Sequence, residues 1–470
     1  MTLAIMTIAA VCSLRGLPMM AKEGSEMFFF IGFSAILFLL PAALVAAELG
    51  GAFSDQKGGV YTWVSAAFGS RWGFTAIWLQ WIQNVVWYPS VLAFAAAALA
   101  YLIGRPELAS SGAYTGIVII VAYWAATFIA LSGAGLASKV TSLGTLLGTI
   151  LPGVLIIGLG VAWWLGGNPN HMNDVAQAGS HAHARFMPHL TDLSSLAFLG
   201  GIILLFAGVE VHAVHANELD KPSTQFPQAI FIAIAVILVL FGAGSMALAA
   251  MVPNAEIDLN QGLMQAYNVA LTHFDMHWLL APLGLFIAFG AFAGVMSWIT
   301  GPSRGLLQTA QEGEIPPFLA KTNKNGVQIH ILMVQGAIVT VLALLYFVLD
   351  NVSVAFFLLS AMTITLYLVM YMLMYAAGIK LRYTQPDLKR AYKVPGGNLG
   401  MWLIAGIGLL GVIFAFVVSF VPPNQLPIGN PTLYVALVAG GFIIFCGLPL
   451  VIHACKKPSW KVASDQGSPS

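Results

Sequence analysis

The chain is short of charge. Of its 470 residues only 8% are Asp, Glu, Lys or Arg, against 59% that are hydrophobic. Soluble domains carry about 25% charged residues, so a soluble globular protein is excluded. Cysteine is scarce as well. Cys12, Cys446 and Cys455 are scattered, which excludes a disulfide framework, and no paired Cys/His spacing marks a metal site. No P-loop, dinucleotide-binding or Ser/His/Asp pattern occurs. The expectation is therefore neither an enzyme nor a nucleotide-driven pump, with no metal and no cofactor. Any movement of solute must run on gradients or on exchange. The first apolar segment lacks the basic start and cleavage site of a removable signal peptide, and no stretch reads as a separate soluble domain. A net charge of +1 gives no ground for a nucleic acid partner.

What the chain has is long apolar runs, each of about 20 residues or more and long enough to cross about 30 Å of hydrocarbon. Twelve are placed, at about 3–21, 27–50, 73–103, 114–133, 141–166, 195–216, 228–252, 278–301, 328–350, 353–378, 401–421 and 432–454. The fold class is an all-α membrane protein of twelve transmembrane helices, and the 48 glycines suit close helix packing in lipid. Basic residues set the orientation. With both termini in the cytoplasm, 15 of the 19 Lys and Arg fall on that side, three (Lys22, Arg105, Arg185) fall outside, and Arg15 lies within the membrane. That split satisfies the positive-inside rule. A stretch from Gln56 to Arg71 reads as a short interfacial helix. The outer loop 167–194 is polar and holds His171, His181, His183 and His189, which usually only solvate such a loop. The tail 455–470 reads as a disordered cytoplasmic end.

Two apolar segments are interrupted in their middles, at matching places in the two halves. The first reads Ser13-Leu14-Arg15-Gly16-Leu17-Pro18 and the second Ala207-Gly208-Val209-Glu210. Each opens a set of five hydrophobic segments, so 1–166 and 195–378 are expected to be inverted repeats, with 379–454 adding a cytoplasmic loop and two further helices. Unwound backbone at membrane depth leaves N–H and C=O groups free, which is tolerable only where they line a polar cavity. Paired breaks of this kind mark the substrate site of secondary transporters. The amides of Gly16 and Leu17 are placed to take a carboxylate at a positive helix end, with Pro18 suited to a first helical turn. The carbonyls of Phe206 and Ala207 suit an ammonium group. Together they describe a receptor for an α-amino acid. The competing reading is a proline kink and a glycine packing contact.

Individual polar residues sharpen this. A lone arginine at membrane depth costs at least about 2.5–3.5 kcal/mol and marks a pathway by default. Arg15 therefore meets an acidic substrate group, stands in for a coupling cation, or pairs with Glu210. Buried Glu210 can bind a proton and so couple or gate transport, with His212 and His215 following towards the cytoplasm as relay candidates or packed histidines. Asn84 needs a partner in the membrane interior. Trp298, near Ser297, is placed to form a shelf under the substrate. Glu48 closes the second segment, where a structural hydrogen bond is expected.

Gly208-Val209-Glu210, with Pro41-Ala42-Ala43-Leu44, Ala47-Glu48-Leu49, Gly58-Gly59-Val60-Tyr61-Thr62-Trp63-Val64, Arg71-Trp72-Gly73-Phe74, His215-x-Asn217-Glu218, Gly301-Pro302-Ser303-Arg304-Gly305, Asn323-Lys324-Asn325-Gly326-Val327 and Pro386-Asp387-Leu388-Lys389-Arg390, give a chain-long resemblance. The chain resembles the amino acid–polyamine–cation superfamily, and within it the bacterial glutamate/GABA antiporter branch. That resemblance implies a LeuT-like five-plus-five inverted repeat with helices one and six broken, substrate held between them, and Glu210 on the inner pathway. It maps a substrate-contacting polar residue onto Asn84, through Trp81-Ile82-x-Asn84, and a substrate-abutting tryptophan onto Trp298. Two departures stand out. An acid-resistance member of the branch has a longer tail that plugs the inner mouth, whereas the tail here is short. It also lacks an arginine-glycine at the first break, so Arg15 points to an acidic or larger polar substrate.

The combined expectation is a sodium-independent amino acid antiporter of a bacterial inner membrane, monomeric or homodimeric. It would exchange glutamate or a related amino acid for a second amino acid or a GABA-like decarboxylation product. Proton-coupled uptake is the second reading, and a sensor or channel the third. The expected substrate contacts are Ser13, Arg15, Gly16, Leu17, Asn84, Phe206, Ala207, Gly208 and Trp298; the expected coupling or gating residues are Glu210, His212 and His215.

Overall fold

The computed structural model describes residues 11, 13–53, 56, 58–174, 186–188, 193–211, 221–349 and 351–461. Within them the chain is helical, with one isolated bridge between Thr322 and Gln328. In chain order the helices that matter here are α1 (Leu17–Ala21), α2 (Gly24–Ala52), α3 (Val60–Phe68), α4 (Ser70–Leu102), α5 (Gly112–Leu131), α6 (Gly135–Leu165), α7 (Phe198–Phe206), α8 (Pro222–Met251), α9 (Gly262–His273), α10 (Leu280–Gln311), α11 (Ile329–Val348), α12 (Val352–Thr384), α13 (Gly397–Val418) and α14 (Pro431–Ala454).

Among the described residues eleven segments are long and apolar enough to cross a membrane: α2, α4, α5, α6, the stretch Leu193–Val211 around α7, α8, and α10 to α14. They coincide with the second to twelfth segments expected from the sequence. The inner half of the first lies outside the described residues, and so do His181, His183, His189, His212, His215, Asn217 and Glu218. A helix closes its own backbone hydrogen bonds, which is what the hydrocarbon demands. Where helices start near the surface, short polar side chains cap them: Asn351 accepts from the Val354 amide at 3.1 Å and Asn430 from the Leu433 amide at 3.0 Å.

Two helices carry a widened turn at the same offset from a proline. The π-helical turns Ala35–Leu39 and Leu146–Ile150 precede Pro41 and Pro152. Proline brings no N–H and its ring crowds the carbonyl four residues back, so the helix makes room by widening the turn before it. Short helices sit at matching places in the two halves, α3 between the second and third expected segments and α9 between the seventh and eighth. In α3, Val60, Tyr61, Thr62, Trp63 and Val64 are buried, and the helix packs chiefly against α4.

The centre of the molecule is α4, against which both α10 and α12 pack. By contrast α13 and α14 turn large apolar side chains outward, Leu410 and Ile443 among them, as lipid contact requires. Both expected interruptions are present. Ser13 is extended (φ −141°, ψ 123°), a single 3-10 turn follows at Leu14–Gly16, and α1 begins at Leu17. Further on, α7 ends at Phe206, Ala207 is extended (ψ 154°) and Gly208 takes φ +109°, a left-handed conformation that favours glycine.

Candidate functional site

A cavity of about 70 Å³ lies where the two interruptions meet. Its wall takes Ser13, Leu14 and Arg15 from the first break, Leu204, Leu205 and Ala207 from the second, Gln83, Asn84 and Trp87 from α4, Trp298 from α10 and Tyr367 from α12. Ligand pockets usually hold about 300–1,000 Å³, so this cavity is small for a ligand site. A second, much larger opening of about 2050 Å³ has Gln80, Glu210, Arg304, Glu312, Lys389 and Lys461 on its walls. It is a vestibule whose walls come mostly from loops and helix ends, with α3 along one side.

Arg15 is the cation of the small cavity. It is 3% exposed. Nη1 donates to Ser90 Oγ at 2.9 Å and to Ser360 Oγ at 3.4 Å, and the guanidinium lies 5.6 Å from the Trp87 ring and 5.3 Å from that of Phe356. Nε has no partner. Among the described residues no carboxylate forms an ion pair with it, and the expected alternative of a pair with Glu210 is not formed.

Glu210 is instead held by three neutral donors. Tyr367 Oη and Gln80 Nε2 reach its Oε1 at 2.5 and 3.1 Å, and Tyr371 Oη reaches Oε2 at 2.5 Å. Tyr371 Oη accepts in turn from the Gly208 amide at 3.0 Å, so the otherwise free N–H of the second break is satisfied through the same carboxylate. On the cavity side, Asn84 Nδ2 and Gln83 Nε2 donate to the Gln80 carbonyl at 2.8 and 3.2 Å. One polar chain thus runs from the small cavity to the vestibule. Tyr367 borders the former and Glu210 the latter, so the Tyr367–Glu210 contact is the partition between them.

Of the expected contacts, Ser13, Arg15, Asn84, Ala207 and Trp298 are brought together on the cavity wall. Gly16, Leu17, Phe206 and Gly208 stand just behind it. A Cβ on Gly16 would fall 2.2 Å from Leu205 Cδ1, and the Leu17 amide donates to the Leu14 carbonyl. The Phe206 ring packs edge-on to Phe241 at 5.3 Å, and Gly208 lies against Trp298. Trp298 also meets Trp87 edge-on at 6.3 Å, which ties it to the ring beside Arg15. Glu48 accepts from Arg382 Nε at 2.5 Å, Arg390 Nε at 3.0 Å and the Val394 amide at 2.7 Å, a buried structural tie in line with expectation.

Sequence reasoning passed over Gln80, Tyr367 and Tyr371. The tyrosines left a signal, since Tyr367, Tyr371 and Tyr375 recur every four residues and so share one face of α12, with their hydroxyls buried at membrane depth. An apolar helix with a tyrosine stripe is holding a polar partner.

The chain that builds this site has known relatives in sequence. The family model described as amino acid permease matches residues 1–443. An uncharacterized transporter of Legionella pneumophila is 38% identical over 99% of this chain and 98% of its own length. A glutamate/gamma-aminobutyrate antiporter of Lactococcus lactis is 33% identical over 95% of this chain and 88% of its own, and a probable agmatine/putrescine antiporter of the same species is 26% identical over 87% and 86%. The chain belongs to the amino acid permease family, within the amino acid–polyamine–cation superfamily of multi-span membrane transporters.

Proposed function

We propose that this protein is a secondary-active antiporter that exchanges glutamate or a related amino acid for a second amino acid or its GABA-like decarboxylation product, by alternating access and without sodium. The observation that carries the reading is the meeting of both helix breaks at one cavity whose guanidinium has no carboxylate partner among the described residues. The relatives named glutamate/gamma-aminobutyrate antiporters, at 33–34% identity, support this choice of substrate pair. The paired breaks and the matching short helices α3 and α9 favour two inverted repeats, 1–166 and 195–378. On this reading the protein is a multi-pass protein of a bacterial inner membrane with both termini cytoplasmic, and the vestibule opens inward. Ser13, Arg15, Gly16, Leu17, Asn84, Phe206, Ala207, Gly208 and Trp298 form or support the substrate site. Glu210 gates the partition, and His212 and His215 continue the inner pathway.

Proton-coupled uptake is the second reading, and one observation favours it: the partition itself holds a carboxylate, Glu210. Radiolabelled glutamate uptake separates the two. Proteoliposomes are loaded with glutamate, GABA, glutamine or nothing, at equal pH on both sides. Exchange gives uptake only into amino-acid-loaded vesicles. Uptake into empty vesicles under an imposed pH gradient overturns exchange in favour of proton symport.

A further inference from the structure

We propose that Arg15 binds the one carboxylate that both exchanged substrates possess: the side-chain carboxylate of an acidic α-amino acid, and the sole carboxylate of an ω-amino acid of the same spacing. This rests on the exchange reading above and says which group the site recognises in both directions.

A guanidinium taken out of water needs an anion to balance its lost solvation. Arg15 has two hydroxyls on Nη1, two aromatic faces, and a bare Nε. Hydroxyls and rings orient the cation and soften its desolvation, but neither neutralises it. The other polar groups of the wall are neutral too, Ser13, Gln83 and Asn84 among them, and among the described residues no Asp or Glu lines the cavity. Glu210 lies beyond Tyr367 and is already held by three donors. The site is therefore short of one negative charge, and its occupant supplies it.

The same geometry says which carboxylate this is. The Leu17 amide, one of the two expected to receive an α-carboxylate, donates to the Leu14 carbonyl, which leaves the Gly16 amide and Arg15 as the anion receptors of the first break, and of these only Arg15 carries a charge. A single cation that must serve both the entering and the leaving substrate can read only a group common to the two. An acidic α-amino acid and the matching ω-amino acid share a carboxylate and an ammonium separated by three carbons. The α-carboxylate belongs to one of them alone. An arginine also prefers a carboxylate to an amide of equal shape, because the charge-assisted bond is the stronger.

The test uses purified full-length protein in proteoliposomes loaded with glutamate, and follows exchange of external radiolabelled glutamate. The unlabelled competitors form two matched pairs that differ only in carboxylate against amide: glutamate with glutamine, and 4-aminobutanoate with 4-aminobutanamide. In the wild type each carboxylate outcompetes its amide by about tenfold or more, the scale of a charge-assisted hydrogen bond. In Arg15→Gln both ratios fall to about threefold or less, and Arg15→Lys, a point charge without the planar fork, lies between. Arg15→Gln that keeps both wild-type ratios overturns the proposal. So does a wild type that takes the amides as readily as the acids, a result that stands even if Arg15→Gln does not fold. A wild type in which glutamate exchanges with no internal amino acid overturns the exchange reading instead.

Discussion

Gly16 and Gly208 carry the two breaks by different means. At Gly208 the constraint is conformational, since φ +109° is a region that L side chains rarely adopt, and a Cβ there would also come within 3.0 Å of the Trp298 ring. At Gly16 the backbone is ordinary (φ −90°, ψ −9°) and the constraint is space alone, because an alanine methyl there would stand within 2.7 Å of Leu205 Cδ1, Cδ2 and Cγ. Over-filling such a contact costs typically about 1–3 kcal/mol. Because the obstruction is the end of one leucine side chain, it is removable. Gly16→Ala is expected to lower the thermal midpoint of the detergent-solubilised protein and to slow exchange. Adding Leu205→Ala should restore part of both. A double variant no better than Gly16→Ala alone would mean that Gly16 is needed for its backbone and not for its contact with the second break.

At the scale of elements, the end of α1 is tied to the ends of its neighbours by Glu23. Its Oε1 accepts from Gln425 Nε2 at 2.9 Å, and Gln425 also donates to the Ser195 carbonyl just before α7. Burial, reinforced by nearby Glu26 and opposed by Gln425 and Lys22, holds the Glu23 carboxyl well above the usual carboxylate range. An acid shifted upward binds its proton more tightly when folded. The stability it contributes is full below the unfolded value near 4.5 and is lost as pH rises through the folded value. Gln425 Oε1, which has no partner, is an acceptor suited to that proton. The thermal midpoint should therefore fall as pH is raised above about 4.5, and Glu23→Gln should flatten part of that slope; a variant with the wild-type slope would remove Glu23 from the account. None of this was legible in the sequence, where Glu23 reads as one more loop acid. The eleven described spans and both breaks were legible, because length, apolarity, Gly and Pro are local properties. The widened turns before Pro41 and Pro152 and the burial of α3 were not, since each depends on what packs alongside. The site divides the same way: Arg15 and Glu210 stood out as charges in apolar runs, whereas Gln80, Tyr367 and Tyr371 gain their meaning only by meeting Glu210 across three helices.

At the scale of the whole molecule, the two openings are unequal in a way that bears on transport. The vestibule of about 2050 Å³ reaches Glu210, and the cavity of about 70 Å³ beyond Tyr367 is smaller than its proposed substrates need. The centre around them, α4 against α10 and α12, is closely packed, so access changes by displacing whole helices or the broken half-helices and not by loosening the core. On the proposed alternating-access reading the state described is one of two, open to the side where most basic residues fall, and substrate is expected to shift the population between them. Thiol accessibility tests this. With Cys12, Cys446 and Cys455 replaced by alanine, Gln308→Cys on the vestibule wall should react rapidly with a membrane-impermeant reagent in inside-out vesicles and slowly in right-side-out ones. Thr149→Cys, on the small cavity, should react slowly from both sides until substrate is added. Saturating external glutamate should slow the Gln308→Cys reaction if closing the vestibule accompanies loading. Rapid reaction of Gln308→Cys from the outside would reverse the assigned orientation, and a rate indifferent to glutamate would make the vestibule a fixed surface feature rather than one end of the transport path.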